Sequence, residues 1–358
     1  LYAVVVLWRP QDWLFPALQS YQIVDMIAIA ALIALLLDVI IGQVKMPRRL
    51  PQIYLIVALY FATVWSHVVH TFYAYFMFTW QDFGKVLLFF LLVLLTTNSV
   101  KKLRFMAFLM VAMALVMAVN CHLQKKYGHG FRNSQPLWVF SGERTEKGEP
   151  IYESRTQFFG IFQDPNDTAL FLVTAIPLCF SFFPGKKTAV LGLVPAGFMT
   201  YAVYTTQSRG GFLAFSIMSL TFLRRLMSTK KFIVAGTIGV FILTLVAPSR
   251  FGGGVLTGYG RERVILWGYA NWAFKTSPLF GVGYRRLHDF TPTGKVAHNS
   301  YVTAYAELGV FGYTFWFALL ALAFVGMWKV GSMIPENKPE DRLVRLATKH
   351  RQANSFAA

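Results

Sequence analysis

His298 is the side chain in this sequence best suited to take a proton. It is followed by Asn299 and stands where a long polar stretch meets an apolar one. An imidazole among cations is favoured in its neutral form, the form that accepts a proton. The plainer alternative is an interfacial histidine hydrogen-bonded to its own loop. Arg209 and Arg263 are suited to hold an anion. Arg209 lies in the short turn 206–211 (TQSRGG), where glycines allow close approach to the backbone. Arg263 stands four residues before Trp267, on one helix face. A planar guanidinium clamps phosphate oxygens in pairs, and both arginines suit that task. The competing readings are a snorkelling Arg209 and a cation–π pair of Arg263 with Trp267.

Two further groups of residues accompany these. Asp164, Pro165 and Asn166 form a helix start, with Asp or Asn as the cap; acceptor binding is the alternative. Glu307 lies inside an apolar stretch, where a carboxyl group is a functional candidate. It is nine residues past His298, two and a half turns of a straight helix. On such a helix the two would face opposite sides, so Glu307 is expected to hold a neighbouring helix and not to assist His298. No Asp-x-Asp pair, His-rich or Cys-rich spacing, G-x-S-x-G or dinucleotide fingerprint occurs. The pattern therefore implies neither a metal nor a cofactor.

The elements that carry these residues are membrane spans. Of 358 residues, 56% are hydrophobic and only 14% charged, against about 25% charged in a soluble domain. The charge is missing from successive stretches long enough to cross a bilayer: 21–41, 52–70, 83–100, 103–123, 166–183, 188–206, 211–227, 232–247 and 301–330. Residues 1–8 are apolar but too short to span, and are expected to end a helix that begins upstream. The fold class expected is all-α: a polytopic transmembrane bundle of about nine or ten spans with two long outward loops, 124–165 and 248–300. The organisation expected is N-terminal helices over 1–123, a loop over 124–165, central helices over 166–247, a large catalytic loop over 248–300, a last helix over 301–330 and a tail over 331–358.

Basic residues in alternate short connections orient the bundle: Lys45, Arg48 and Arg49; Lys101, Lys102 and Arg104; Lys186 and Lys187; Arg224, Arg225, Lys230 and Lys231; then the tail. That side is expected to be cytoplasmic, which places the motif residues on the outer face. The net charge of +18 would suggest nucleic acid in a soluble protein. Here it divides between cytoplasmic anchoring and an outer anion site, and no nucleic-acid partner is expected. Cys121 and Cys179 fall towards opposite faces and are expected to be packing residues with no disulfide between them.

His298–Asn299 followed after nine residues by Gly309–Val310–Phe311–Gly312 resembles the signature of the O-antigen ligase and O-antigen polymerase family of bacterial membrane glycosyltransferases. The run Arg263, Trp267, Gly281–Val282–Gly283 is similar to that family too, as are Ser208–Arg209–Gly210–Gly211 and Asp164–Pro165–Asn166. The resemblance spans residues 164–312. It implies transfer of a glycan from a polyprenyl (undecaprenyl) diphosphate carrier to an acceptor sugar at the periplasmic face of the inner membrane, without a metal. It implies His298 as the catalytic residue and Arg209 and Arg263 as diphosphate ligands; Arg285 and Arg286 are added as basic neighbours with no firm counterpart. The acceptor would be a lipid core, a growing polysaccharide or a glycoprotein, and a polymerase remains the alternative within the family. A polysaccharide-lipid transporter or flippase is the alternative from another class. It calls for inverted repeats and broken helices at mid-membrane; no such repeats are evident in the sequence, and the candidate residues are expected to cluster at one face instead.

Overall fold

A computed structural model of the chain describes residues 2–18, 21–43, 50–145, 147–183, 188–226, 232–234, 236–237 and 259–332. These residues are 76% helical, as the composition requires. The helices are α1 (Tyr2–Trp8), α2 (Pro10–Trp13), α3 (Ile23–Ile40), α4 (Pro51–Val68), α5 (Tyr73–Thr96), α6 (Val100–Tyr127), α7 (Pro165–Cys179), α8 (Leu193–Thr205), α9 (Arg209–Leu226), α10 (Tyr259–Thr276) and α11 (Ser300–Ser332). Among the described residues six helical segments are long and apolar enough to cross a membrane, fewer than the nine or ten expected. Three differences account for this. The helix α8 has 13 residues, about 20 Å, against a hydrocarbon core of about 30 Å. The helix α9 carries Arg209, Arg224 and Arg225 within its 18 residues. Most of the span expected over 232–247 lies outside the described residues, as do the glycine-rich stretch 252–258 and the tail from 333 onward.

The chain divides into two compact units. In the first, α6, α7 and α8 pack around Met117, Leu172 and Met199, with Ala114, Ala118, Ala169, Ala175 and Ala202 fully buried beside them. Small side chains let apolar helices approach closely where lipid offers no hydrophobic drive to associate. Both cysteines are free and buried. The stretch 124–165 is more ordered than a loop: it holds an antiparallel hairpin, β1 (Leu137–Arg144) and β2 (Pro150–Arg155), pairing Leu137 with Arg155 and Phe140 with Tyr152. The side chain of Asn120, buried in α6, ties both flanks of the hairpin. It accepts from the Phe131 N–H (2.8 Å) and donates to the Gln157 carbonyl (2.9 Å).

The second unit contains α3, α4, α5, α10 and α11. Leu32, Ile33, Leu36 and Leu37 of α3 are exposed, as a lipid-facing helix requires. Asp25 at its start is neutralised by Lys85 of α5 at 2.6 Å. The stretch 248–300, expected as a loop, also differs from expectation, since α10 occupies much of its described part.

The helix α11, expected as one continuous span, is broken at Gly309 (φ 62°, ψ −169°). That conformation is essentially restricted to glycine. The break frees backbone groups on both sides, and residues 278–283 take them up. Val282 and Gly283 donate to the carbonyls of Ala306 and Glu307 (3.0 and 3.1 Å), while Val310 and Phe311 donate to those of Pro278 and Leu279 (2.9 and 3.0 Å). The approach leaves no room for side chains. A Cβ on Gly281 would overlap the Glu307 backbone, and one on Gly309 would overlap Leu279 and the Gly281 nitrogen. Gly309→Ala is therefore expected to cost about 2 kcal/mol or more, from backbone strain alone. Gly326→Ala, which meets nothing within 4 Å, should be neutral or slightly stabilising. Thermal unfolding of the two purified variants in one detergent checks this; equal melting temperatures would contradict the role assigned to the break.

Candidate active site

The crossing at Gly309 brings Glu307 beneath the turn that carries the tandem arginines. Glu307 is buried, and its two carboxyl oxygens accept the backbone N–H groups of Arg285 (2.8 Å) and Leu287 (3.2 Å). Arg285 itself has a left-handed backbone (φ 59°), so the carboxyl group supports an otherwise unfavourable turn. From the other side the end of α4 holds the same loop. The Ser66 hydroxyl accepts the Tyr284 N–H (3.1 Å), and His70 Nε2 donates to the Gly281 carbonyl (2.7 Å). The role expected for Glu307, holding a neighbouring helix, is thus corrected: it holds a loop.

His298 precedes α11 instead of lying on it, so the helical spacing that separated it from Glu307 does not apply. Its backbone is left-handed (φ 49°) and fixed on both sides. The Trp267 indole donates to the carbonyl of the buried Ala297 (2.9 Å). Asn299 caps α11, its side-chain oxygen accepting from Tyr301 (3.0 Å) and Val302 (3.4 Å). An ion pair between Lys295 and Glu262 of α10 (2.5 Å) fastens the same segment. Trp267 thus fixes the backbone just before His298, and Asn299 caps the helix just after it.

His298 and Glu307 line one cavity of about 650 Å³ together with Arg285, Tyr284, Asp82 and His67. A volume of this order suits a small-molecule or sugar-sized group. Arg285 is paired with Asp82 of α5 and remains largely exposed. Arg286 is more committed. Its guanidinium bonds Asp289 (2.7 Å) and lies over the rings of Phe72 (4.0 Å) and Tyr75 (4.5 Å). Burial pushes the Tyr284 phenol above its ordinary pKa, with Asp82 and Glu307 adding to the effect and Arg285 opposing it; it therefore stays a hydroxyl donor at neutral pH. His67 is 2% exposed, and its Nδ1 has no hydrogen-bond partner among the described residues. Buried polar atoms are rarely left unpaired, which makes this nitrogen a candidate contact for a group entering the cavity. Reading by motif missed His67, Asp82 and Tyr284, because they come from helices and turns far apart in sequence with no local pattern. Their one signal was a histidine and an aspartate inside or beside apolar spans.

Arg263 is exposed on α10, one turn before Trp267. Arg209, Asp164 and Asn166 belong to the first unit. Asp164 caps α7, accepting the Asn166 N–H at 2.6 Å with Pro165 in the first turn, as expected of a helix start. Arg209 is the first residue of α9 and is half-buried. Among the described residues no group of three or more His, Cys, Asp or Glu converges as metal ligands would.

Residues 194–317 match the family model described as O-antigen ligase. That stretch, which runs from α8 through Arg209, Arg263 and His298 to the Gly309 break, is similar to the O-antigen ligase family over about a third of the chain. Comparison with curated proteins and with solved structures gave no match. The chain is thus a helical protein with several membrane-spanning segments, one stretch of which is similar to the O-antigen ligase family.

Glu307→Gln keeps the shape of the side chain but replaces one acceptor oxygen with a nitrogen donor, which then faces a backbone N–H. The expected loss is about 1–3 kcal/mol of stability, the cost of an unpaired buried donor, together with weakened turnover. Thermal unfolding and transfer assays on this variant check it; wild-type values in both would remove Glu307 from the support of the site.

Proposed function

We propose that the protein moves a glycan from a polyprenyl diphosphate carrier to a hydroxyl group of an acceptor sugar, at the outer face of the cytoplasmic membrane. The observation that carries the reading is that His298, on a backbone fixed from both sides, shares a cavity with Arg285 and Glu307 in the segment of the chain that matches the O-antigen ligase family. The acceptor oxygen attacks the anomeric carbon. Its bond to that carbon forms as the bond from the carbon to the diphosphate oxygen breaks. His298 takes the hydroxyl proton, and the diphosphate leaves with the electron pair. A single displacement inverts the anomeric centre.

The leaving group carries two or more negative charges. Arg209 and Arg263 are the groups proposed to meet them, with Arg285 beside His298 as a further candidate; guanidinium does this without a metal ion. The Asp82 partner keeps Arg285 extended at the cavity, and Arg286 anchors the turn through Asp289 and the two aromatic rings. The unpaired His67 nitrogen and the Tyr284 hydroxyl are suited to sugar hydroxyls. The outward orientation rests on the alternation of basic connections. The broken α11 does not favour a transporter, since residues 278–283 take up backbone groups freed at the break and those groups are not left to coordinate an ion.

Replacing His298 with Ala should leave membrane insertion and carrier binding intact and lower transfer by about 10²–10⁴-fold, the range for one acid–base group. Initial rates in purified membranes, with a carrier-linked glycan and candidate acceptors, check this. An alanine variant that transfers at the normal rate would refute the assignment; a glutamine variant with substantial activity would reduce His298 to a hydrogen-bonding role.

A further inference from the structure

The turn that presents Arg209 is held by an arginine outside the matched segment. Arg155, the last residue of β2, donates from Nε to the Thr206 carbonyl (3.1 Å) and from a terminal nitrogen to the side-chain oxygen of Asn166 (3.0 Å). The same Asn166 oxygen accepts from the Ser208 hydroxyl (2.7 Å), and the Ser208 oxygen accepts the Gly211 N–H (3.0 Å). Thr156 extends the connection through its hydroxyl to that of Thr205 (2.9 Å) and its N–H to the Thr205 carbonyl (3.3 Å). Gln207 in this turn has a left-handed backbone (φ 50°), which a free chain would not favour. A Cβ on Gly211 would overlap that of Ala169, so α9 begins tight against α7.

Arg209 therefore projects from a backbone whose neighbours on either side are bonded, through Asn166 and Arg155, to the start of α7 and to the hairpin. The two acceptors lie on different segments, and one fork-shaped guanidinium reaches both. We propose that Arg155 is a positioning residue for Arg209: it locks the turn through Asn166 and Thr206 and so sets the affinity for the carrier diphosphate without touching it. The proposal rests on the reading that Arg209 binds that diphosphate.

The experiment measures binding of undecaprenyl diphosphate, without glycan, to the purified full chain in detergent. The variants are Arg209→Ala, Arg155→Ala, Arg155→Lys and the Arg155→Ala/Arg209→Ala double. Arg209→Ala is expected to weaken binding about tenfold or more, as loss of a charge-assisted contact does. Arg155→Ala and Arg155→Lys should both weaken it severalfold, since lysine lacks the fork. The double variant should bind no worse than Arg209→Ala alone, because the two substitutions act through one contact. Ser208→Ala, a smaller change that leaves every charge in place, should weaken binding in the same direction and should also add nothing to Arg209→Ala.

Losses that multiply in the double variant would make Arg155 an independent ligand and overturn the positioning role. Normal binding by Arg155→Ala and Ser208→Ala, with weak binding by Arg209→Ala, would overturn the inference and leave the reading of Arg209 standing. Normal binding by Arg209→Ala would instead remove the reading on which the inference rests.

Discussion

The second unit depends on one exchange of backbone hydrogen bonds. A helix interrupted in an apolar environment must satisfy the groups it releases, because lipid offers no replacement. In α11 the interruption at Gly309 releases carbonyls on one side and N–H groups on the other, and residues 278–283 supply partners for both. From that pairing follow the placement of Glu307 under the Arg285 turn, the approach of His70 and Ser66 from α4, and the cavity wall on which His298 stands. The glycines at 281 and 309 are a consequence of the same exchange, since side chains there would occupy the backbone of the opposing strand.

Each unit presents its arginines by a similar device. In the second, the turn bearing Arg285 and Arg286 is pinned by a carboxyl group on its N–H groups and by an Asp289 and aromatic clamp on one guanidinium. In the first, the turn before Arg209 is pinned by Asn166, Ser208 and the fork of Arg155. Both place a left-handed residue at or near a cation: Arg285 itself, and Gln207 two residues before Arg209. Holding cations on preset backbones suits charge that develops during a reaction, because no reorganisation is needed when it appears.

Much of this was legible from residue type and spacing. Eight of the nine apolar stretches read as spans contain a helix in the described residues, and Asp164 caps α7 as its position before Pro165 suggests. The His298–Gly309 spacing that resembles the O-antigen ligase family lies inside the stretch 194–317 that the family model matches. What spacing could not carry was tertiary. A helical wheel set His298 and Glu307 apart because it assumed a helix through both, whereas the helix begins at Ser300. The hairpin at 137–155 lies in a polar stretch whose strands are short, and its attachments through Asn120 and Arg155 join residues far apart in sequence. His67 and Asp82 reach the cavity only because the break in α11 draws the loop against α4 and α5.

The central claim is that the cavity walled by His298, Arg285, Tyr284 and Glu307 is where the sugar is transferred. Its most direct test is a density map of the full chain trapped with a non-reactive, carrier-linked sugar analogue. The account predicts sugar density inside that cavity, with the anomeric carbon on the His298 side and within reach of a hydroxyl held by the imidazole. Sugar density elsewhere, with the cavity empty, would contradict it.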